Sequence, residues 1–265
     1  MNGLSKYIIS ALCCLLLCNV GLAQDTLRIM TFNIHYGSDT TLDALGEYIK
    51  QYNPDIVALQ EVDVKTNRQS VPRTIGVNMP NQLAGKTDML YAFGRAIDHP
   101  SGGFYGNALL SKYDIVSTEV IPLPRTGGQI EQRALLVVHI NVRGRDVCVA
   151  CTHLSYEDEV NRRIQMKKVK RIVNKEKGRV KILAGDFNAD PMEKLVQPIL
   201  RHWTDALDGS GTFASMPGSW FKRYKYDYIM YYDRYDNIRV INSFVVCEPA
   251  YSDHCAGIAD IVILK

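Results

Sequence analysis

The stretch Leu183–Pro191 reads LAGDFNADP and closes the strand-like run Val180–Ala184. A buried strand that passes straight into Gly, Asp, Phe, Asn, Ala and Asp delivers polar side chains to its carboxyl end. In an alternating α/β chain, that end is where ligands are held. Asp190, Pro191 and Glu193 then read as the cap, first-turn proline and third-position acid of a following helix.

The same plan occurs earlier in the chain. LRIMTFNI, a helical stretch from Leu42 to Tyr52 and DIVALQEV are answered by RDVCVACTHL, a long helix and VKILAGDFN. Each half is strand, helix, strand, with polar residues where a strand stops. The second helix opens with Ser155 and Asp158 in capping-box spacing, carries Met166, Val169 and Val173 on one face, and stops at Gly178. Lys167, Lys168, Lys170 and Arg171 fall mostly on its other faces and read as a solvated surface. GGFYGNALLSKYDI reads as turn, strand, turn. EQRALLVVHINV, YKYDYIMYY, INSFVVCE and AGIADIVIL add strands. Many strands with few helices imply two packed sheets with helices outside.

The strand ends collect Asn33, Glu61, His153, Asp186, Asn188, Asp227, Asp253 and His254. Each alone has a dull explanation as a turn former, an Asx-turn or a core histidine. Together they form a set of hard oxygen donors whose carboxylates need a cation between them to stay ionised. Such donors suit Mg²⁺ or Mn²⁺.

The ordered set TFNI, LQEV, YGNALLSK, THL, GDFNADP, YDYI and SDH resembles the endonuclease/exonuclease/phosphatase superfamily, from Leu27 to the C-terminus. YGNALLSK is closest to exported bacterial metal-dependent hydrolases of unassigned substrate. The resemblance implies a four-layered α/β/β/α sandwich and divalent-metal-dependent cleavage of a phosphoester. It implies that Glu61 holds the metal, helped by Asn33 and, through water, Asp253. His254, oriented by Asp227, would activate water or stabilise the phosphoryl group. Asp186 and Asn188 would position the nucleophile and a phosphoryl oxygen, and His153 would donate a hydrogen bond to the phosphate or assist the leaving group. Asn107 and Arg133 are second-rank phosphate contacts, with a surface ion pair to Glu131 as the alternative for Arg133.

The first 23 residues have a short basic start at Lys6, an apolar run from Tyr7 to Cys18, and small residues Gly21 and Ala23 before Gln24. This reads as a signal peptide cut after Ala23, too short for a permanent membrane anchor. A lipoprotein through Cys18 is the weaker reading, because Leu17 stands where a small residue is normal. Residues 24–265 then form one exported, periplasmic or secreted catalytic domain, expected to be a monomer.

The whole chain carries +3, and with the leader removed 30 basic residues face 28 acidic ones. That near balance argues against duplex nucleic acid as the main partner. The expected substrate is a small or lipid-derived phosphoester. A secreted nuclease is the alternative, supported by the basic aromatic run WFKRYKYDYIMYYDRYD. Alternate residues of that run should face the core, so only some of Phe221, Tyr224, Tyr226 and Tyr228 reach a ligand. Of the four mature cysteines, Cys148 and Cys151 face opposite ways on one strand and should not bridge. Cys247 and Cys255 flank a loop; pairing and plain burial both remain open. Zinc is disfavoured, since no second close pair or matching His spacing accompanies them.

Overall fold

The computed structural model describes residues 25–178, 180–199, 201–207, 224–232, 236–248 and 250–264. The first 24 residues, Trp220 and Phe221 lie outside the described residues, and with them the expected signal peptide. β1 (Asp25–Asn33) shows how the sequence builds the sandwich. Leu27 and Ile29 point to one face, Met30 and Phe32 to the other, and all four are buried. A strand covered on both faces must lie inside a layered fold, which the period-two alternation of its side chains makes possible.

The described residues form two six-stranded sheets. The first has the order β11 (Ile238–Val246), β12 (Ala256–Ile263), β1, β2 (Ile56–Val64), β4 (Phe104–Ser111), β3 (Leu90–Asp98). The second has the order β5 (Asp114–Pro122), β6 (Ala134–Val142), β7 (Arg145–His153), β8 (Val180–Asp186), β10 (Asp227–Tyr232), β9 (Trp203–Asp205). Among the described residues only β1–β2 and β7–β8 pair in parallel, and each pair is joined by a crossover containing a helix. The repeated strand–helix–strand pattern in the sequence is therefore a repeated βαβ unit, one per sheet.

α1 (Leu42–Gln51) and α2 (Met79–Thr87) cover the outer face of the first sheet through Leu45, Ile49, Met79 and Leu83. α3 (Glu159–Lys175) covers the second through Met166, Val169 and Val173. Between the sheets, Leu27, Ile29 and Ile56 meet Val138, Val149 and Ile182. These are the four layers expected. Full burial of each such aliphatic side chain contributes about 1.5–3 kcal/mol.

Two local expectations are corrected. Residues 190–199 form successive turns instead of a regular helix. Asp190, Glu193 and Val196 accept in succession from the backbone N–H three residues ahead. The caps exist, with Asp190 Oδ1 accepting from Met192 N at 2.9 Å and Glu193 Oε1 from Asp190 N at 3.2 Å. Pro198, however, has no N–H for the carbonyl four residues back and crowds it, which interrupts a continuous i to i−4 ladder. α3 is capped by Asp158, which accepts from Asn161 N at 2.7 Å, and not by Ser155. Ser155 is buried, with its N–H donating to Gln165 and its hydroxyl to Glu157.

Arg28 locks the first crossover to the sheet. Its Nε and Nη2 donate to both oxygens of Asp260 on β12 at 2.7 and 2.9 Å, and Nη1 donates to the Tyr52 carbonyl just past α1. This fork, opposed by burial and helped by a bond from Asn242, holds the Asp260 carboxyl below its ordinary range. The stabilisation is present above the unfolded carboxylate pKa and lost as pH falls through the folded value. Asp260→Asn should lower the urea midpoint near neutral pH, with the gap to wild type closing below about pH 3. A gap that stays constant into acid would show that the ionised fork is not its source.

Candidate active site

Asp186 is the last residue of β8, and its register partners are His153 on β7 and Asp227 on β10. The chain reaches this arrangement through Gly185, whose φ is +142° and where a Cβ would lie 1.9 Å from the Thr152 carbonyl oxygen. Only glycine allows that approach, so the Gly of GDFN sets Asp186 beside His153. From the other sheet, Asn33 ends β1, and its Nδ2 donates to Glu61 Oε1 at 2.9 Å and Asp186 Oδ2 at 3.2 Å. Glu61 sits at φ +57°, where the β2–β4 register shifts between Leu59 and Val62. Bulges of this kind re-aim a side chain at a sheet edge.

The carboxylate of Asp186 is nearly inaccessible to solvent. Oδ1 accepts from Asn188 N at 2.8 Å, closing an Asx-turn. Oδ2 faces His153 Nε2 at 3.4 Å and His254 Nε2 at 3.7 Å. Its turn-forming role and its place in the site are thus compatible. Burial, and then the Asp227 charge, push the Asp186 pKa up despite the opposing pull of His254. His254 Nδ1 lies 3.0 Å from Asp227 Oδ2. Burial opposes its charge, but Asp227, Asp186 and Asp253 bring its pKa up to about 10. The acids on either side of its ring thus favour the charged form of His254.

His153 has the opposite state. Burial, then the positive charges of Arg133 and His254, hold it well below the usual histidine range. Arg133 Nη1, which can only donate, lies 3.0 Å from His153 Nδ1, and the ring's Nε2 faces Asp186. Asn188 Nδ2 lies 2.9 Å from the same Nε2. The expected pair between Arg133 and Glu131 exists at 3.2 Å, but Arg133 is only 3% exposed and lies behind His153, away from the surface. Asn107 is buried and its amide donates to the Ala134 carbonyl on the facing sheet.

The residues expected to hold a metal are gathered in part. Asn33 joins Glu61, whereas Asp253 is more exposed and lies 3.7 Å from His35 Nδ1. Burial, then Glu61 and, more weakly, Asp253, keep the Tyr36 hydroxyl protonated above its ordinary range, which places Tyr36 in the field of both acids. Asp186, Asp227 and His254 each offer a donor atom within 4.8 Å of the others. Asp227 Oδ1 is buried without a hydrogen-bond partner. Glu61 beside the Asn33 amide, with the more exposed Asp253, is a donor set of hard oxygens that fits an oxygen-preferring divalent cation.

Sequence reasoning passed over Ser252 and the turn His35–Gly37. Ser252 Oγ donates to the Asn33 carbonyl at 2.7 Å and accepts from His254 N at 3.1 Å, pinning the catalytic loop to the end of β1. Its only sequence signal was its place in SDH. Cys247 and Cys255 form a disulfide that closes this loop, while Cys148 and Cys151 are free and buried on opposite faces of β7. In the aromatic run, Tyr228 packs on Phe187 at 4.6 Å and its hydroxyl donates to the Ala189 carbonyl, so it is core. Tyr224 and Tyr226 stack on one another at 5.5 Å.

Closing so short a loop removes about 2.5 kcal/mol of unfolded-state freedom. The double variant Cys247→Ser/Cys255→Ser should therefore unfold at lower urea and lose turnover, because Ser252, Asp253 and His254 are no longer held. An unchanged midpoint and unchanged turnover would remove the disulfide from the account.

The sequence profile of the Endonuclease/Exonuclease/phosphatase family matches residues 30–254. No curated protein matches the chain. Among solved structures, an endonuclease/exonuclease/phosphatase from Beutenbergia cavernae is similar with TM-score 0.73 and 23% identity, over 91% of this chain and 72% of that one. One from Bacteroides vulgatus gives TM-score 0.73 and 18% identity over 90% and 99%. A Bacteroides thetaiotaomicron mannosyl-6-phosphatase gives TM-score 0.68 and 16% identity over 89% and 100%. Matched along most of its length and folded as two packed sheets with its buried acids and histidines at one shared edge, the chain belongs to the endonuclease/exonuclease/phosphatase family of phosphoester hydrolases.

Proposed function

We propose that the protein is an exported, Mg²⁺- or Mn²⁺-dependent phosphohydrolase acting on a small or lipid-derived phosphoester. The observation that carries this reading is the line Asp227, His254, Asp186, flanked by His153 and Asn188 at the shared sheet edge. Glu61, with Asn33 and Asp253, would hold a divalent cation, which would supply Lewis-acid polarisation of the phosphoryl group and offset its charge. Asp186, with its raised pKa, accepts a proton from the attacking water. The His254 imidazolium, held by Asp227, faces the charge that develops on the phosphoryl group and can protonate the leaving oxygen. His153, oriented by Arg133 at Nδ1, and the Asn188 amide beside it would face a phosphoryl oxygen.

A cavity of about 290 Å³ opens beside Tyr36 and Tyr105, two residues in the field of Glu61. It is lined by Tyr36, Arg68, His99, Tyr105 and Glu131, among others. Arg68 is fixed by Asp63 at 2.8 Å and lies 4.1 Å over the Tyr36 ring. The volume is at the low end for small-molecule sites. The Cys247–Cys255 disulfide supports export to an oxidising compartment, as does the leader-like start of the sequence. No helix among the described residues is long and apolar enough to cross a membrane.

The test is product release by the protein from Gln24 onward, with Mg²⁺, across plasmid DNA, RNA, p-nitrophenyl phosphate, bis-p-nitrophenyl phosphate, sphingomyelin and phosphatidylinositol phosphates. Turnover of a small or lipid phosphoester without nicking is the expected result. Efficient nicking would replace this reading with a nuclease and promote the Tyr224–Tyr226 pair to a base-stacking surface. Chelation should abolish activity and Mg²⁺ or Mn²⁺ restore it; turnover that survives full chelation contradicts the metal requirement.

Glu61→Gln and His254→Ala should each remain folded by circular dichroism while losing about 10²–10⁴-fold in kcat. Near-normal kcat in His254→Ala would remove that residue from the mechanism.

A further inference from the structure

Away from the active site, His139 on β6 and Cys148 on β7 are direct cross-strand partners. Both belong to the face of the sheet that packs under α3, and Glu176, the residue that caps α3 at its C-terminus, reaches down to them. A ring nitrogen of His139, Cys148 Sγ and a Glu176 carboxylate oxygen lie within 4.8 Å of one another. His139 Nδ1 is already engaged by Asp146 Oδ1 at 2.8 Å. That leaves Nε2, which lies 3.1 Å from Glu176 Oε2.

We propose that His139 Nε2, Cys148 Sγ and the Glu176 carboxylate form a second metal site, selective for zinc, which clamps the end of α3 to the β6–β7 hairpin. The donor set is one imidazole, one thiolate and one carboxylate, which suits tetrahedral zinc and leaves a fourth position for water. Thiolate makes the site soft, whereas the active site is rich in carboxylate oxygen; the two should sort zinc from Mg²⁺ or Mn²⁺. Asp146 supplies the outer carboxylate that fixes the histidine tautomer in many zinc sites.

The simplest competing arrangement is a His139 imidazolium paired with Asp146 and Glu176. That arrangement leaves the Cys148 thiol out, and it sets the Glu176 carboxylate at the C-terminal end of a helix, where the dipole disfavours an anion. Lys181, opposite Cys148 on β8, is the competing cation nearby, and its Nζ is engaged by the Asn174 carbonyl at 3.2 Å. Binding releases the Cys148 and His139 Nε2 protons to solvent, and no redox change is involved. The absence of regular Cys and His spacing in the sequence is explained by geometry: the ligands come from two neighbouring strands and a helix end.

Five residues of strand, roughly 16 Å, separate Cys148 from His153, so the site can be read without the active site. The experiment is titration of the metal-free protein from Gln24 onward with Co²⁺ or Cd²⁺, following the thiolate-to-metal charge-transfer absorption. The active site has no thiolate and cannot produce that signal. Wild type should show the band saturating at one metal per chain, with Zn²⁺ competing it away. Cys148→Ser should lose it, Cys151→Ser should keep it, and Asp146→Asn, which touches no ligand sulfur, should weaken affinity by about 10- to 100-fold. Mg²⁺-dependent turnover of Cys148→Ser should persist. A folded wild type without the band, or a band that survives in Cys148→Ser, overturns the proposal. If Cys148→Ser fails to fold, unchanged affinity in Asp146→Asn together with a band lost in Cys151→Ser overturns it equally.

Discussion

Asp186 and Asp227 face each other across antiparallel β8 and β10. Two carboxylates in that relation repel, and burial makes the repulsion stronger because little water screens it. The fold tolerates the pair because His254 reaches in from the loop before β12, from the other sheet, and lies against both acids. This charge arrangement joins the sheets at one edge. The Asn33 bridge to Glu61 and Asp186 and the Ser252 bond to the Asn33 carbonyl exist to hold the two halves of the site in register.

The rest of the chain can be understood as geometry in the service of that edge. Each βαβ unit brings two parallel strand ends to the same side. Gly185 lets β8 approach β7, the β2 irregularity turns Glu61 out of the regular pleat, and the disulfide shortens the loop that carries His254. Arg133 has a similar supporting part. Buried beside His153, it donates toward Nδ1, fixes the orientation of the ring and does not itself face solvent. The site is therefore supported from behind as carefully as it is composed, which is what catalysis by pre-placed charge requires.

The central strands and the repeated βαβ plan were legible in the sequence because β1, β2, β7 and β8 are buried on both faces and read as long apolar runs. Edge strands were harder to see. β3 and β5 are largely exposed and carry mixed polar residues, so period-two alternation is weak. α2 was missed although Asn78 caps it and Pro80 opens it, because the helix is short and its apolar face modest. Residues 190–199 carried true caps without a helix to follow, so local capping overstated what Pro198 allows. The site residues stood out by residue type at strand ends. Ser252 and the His139, Cys148, Glu176 group did not, because their meaning comes from neighbours distant in sequence.

The central claim is that Asp227 and His254 act as one unit on the group held beside Asp186. A double-variant cycle tests it most directly: kcat for Asp227→Asn, His254→Ala and the combination, each shown to be folded. If the two act together, the combination should be about as slow as His254→Ala alone, since removing either breaks the same device. If the losses simply multiply, the residues act independently and the account is contradicted.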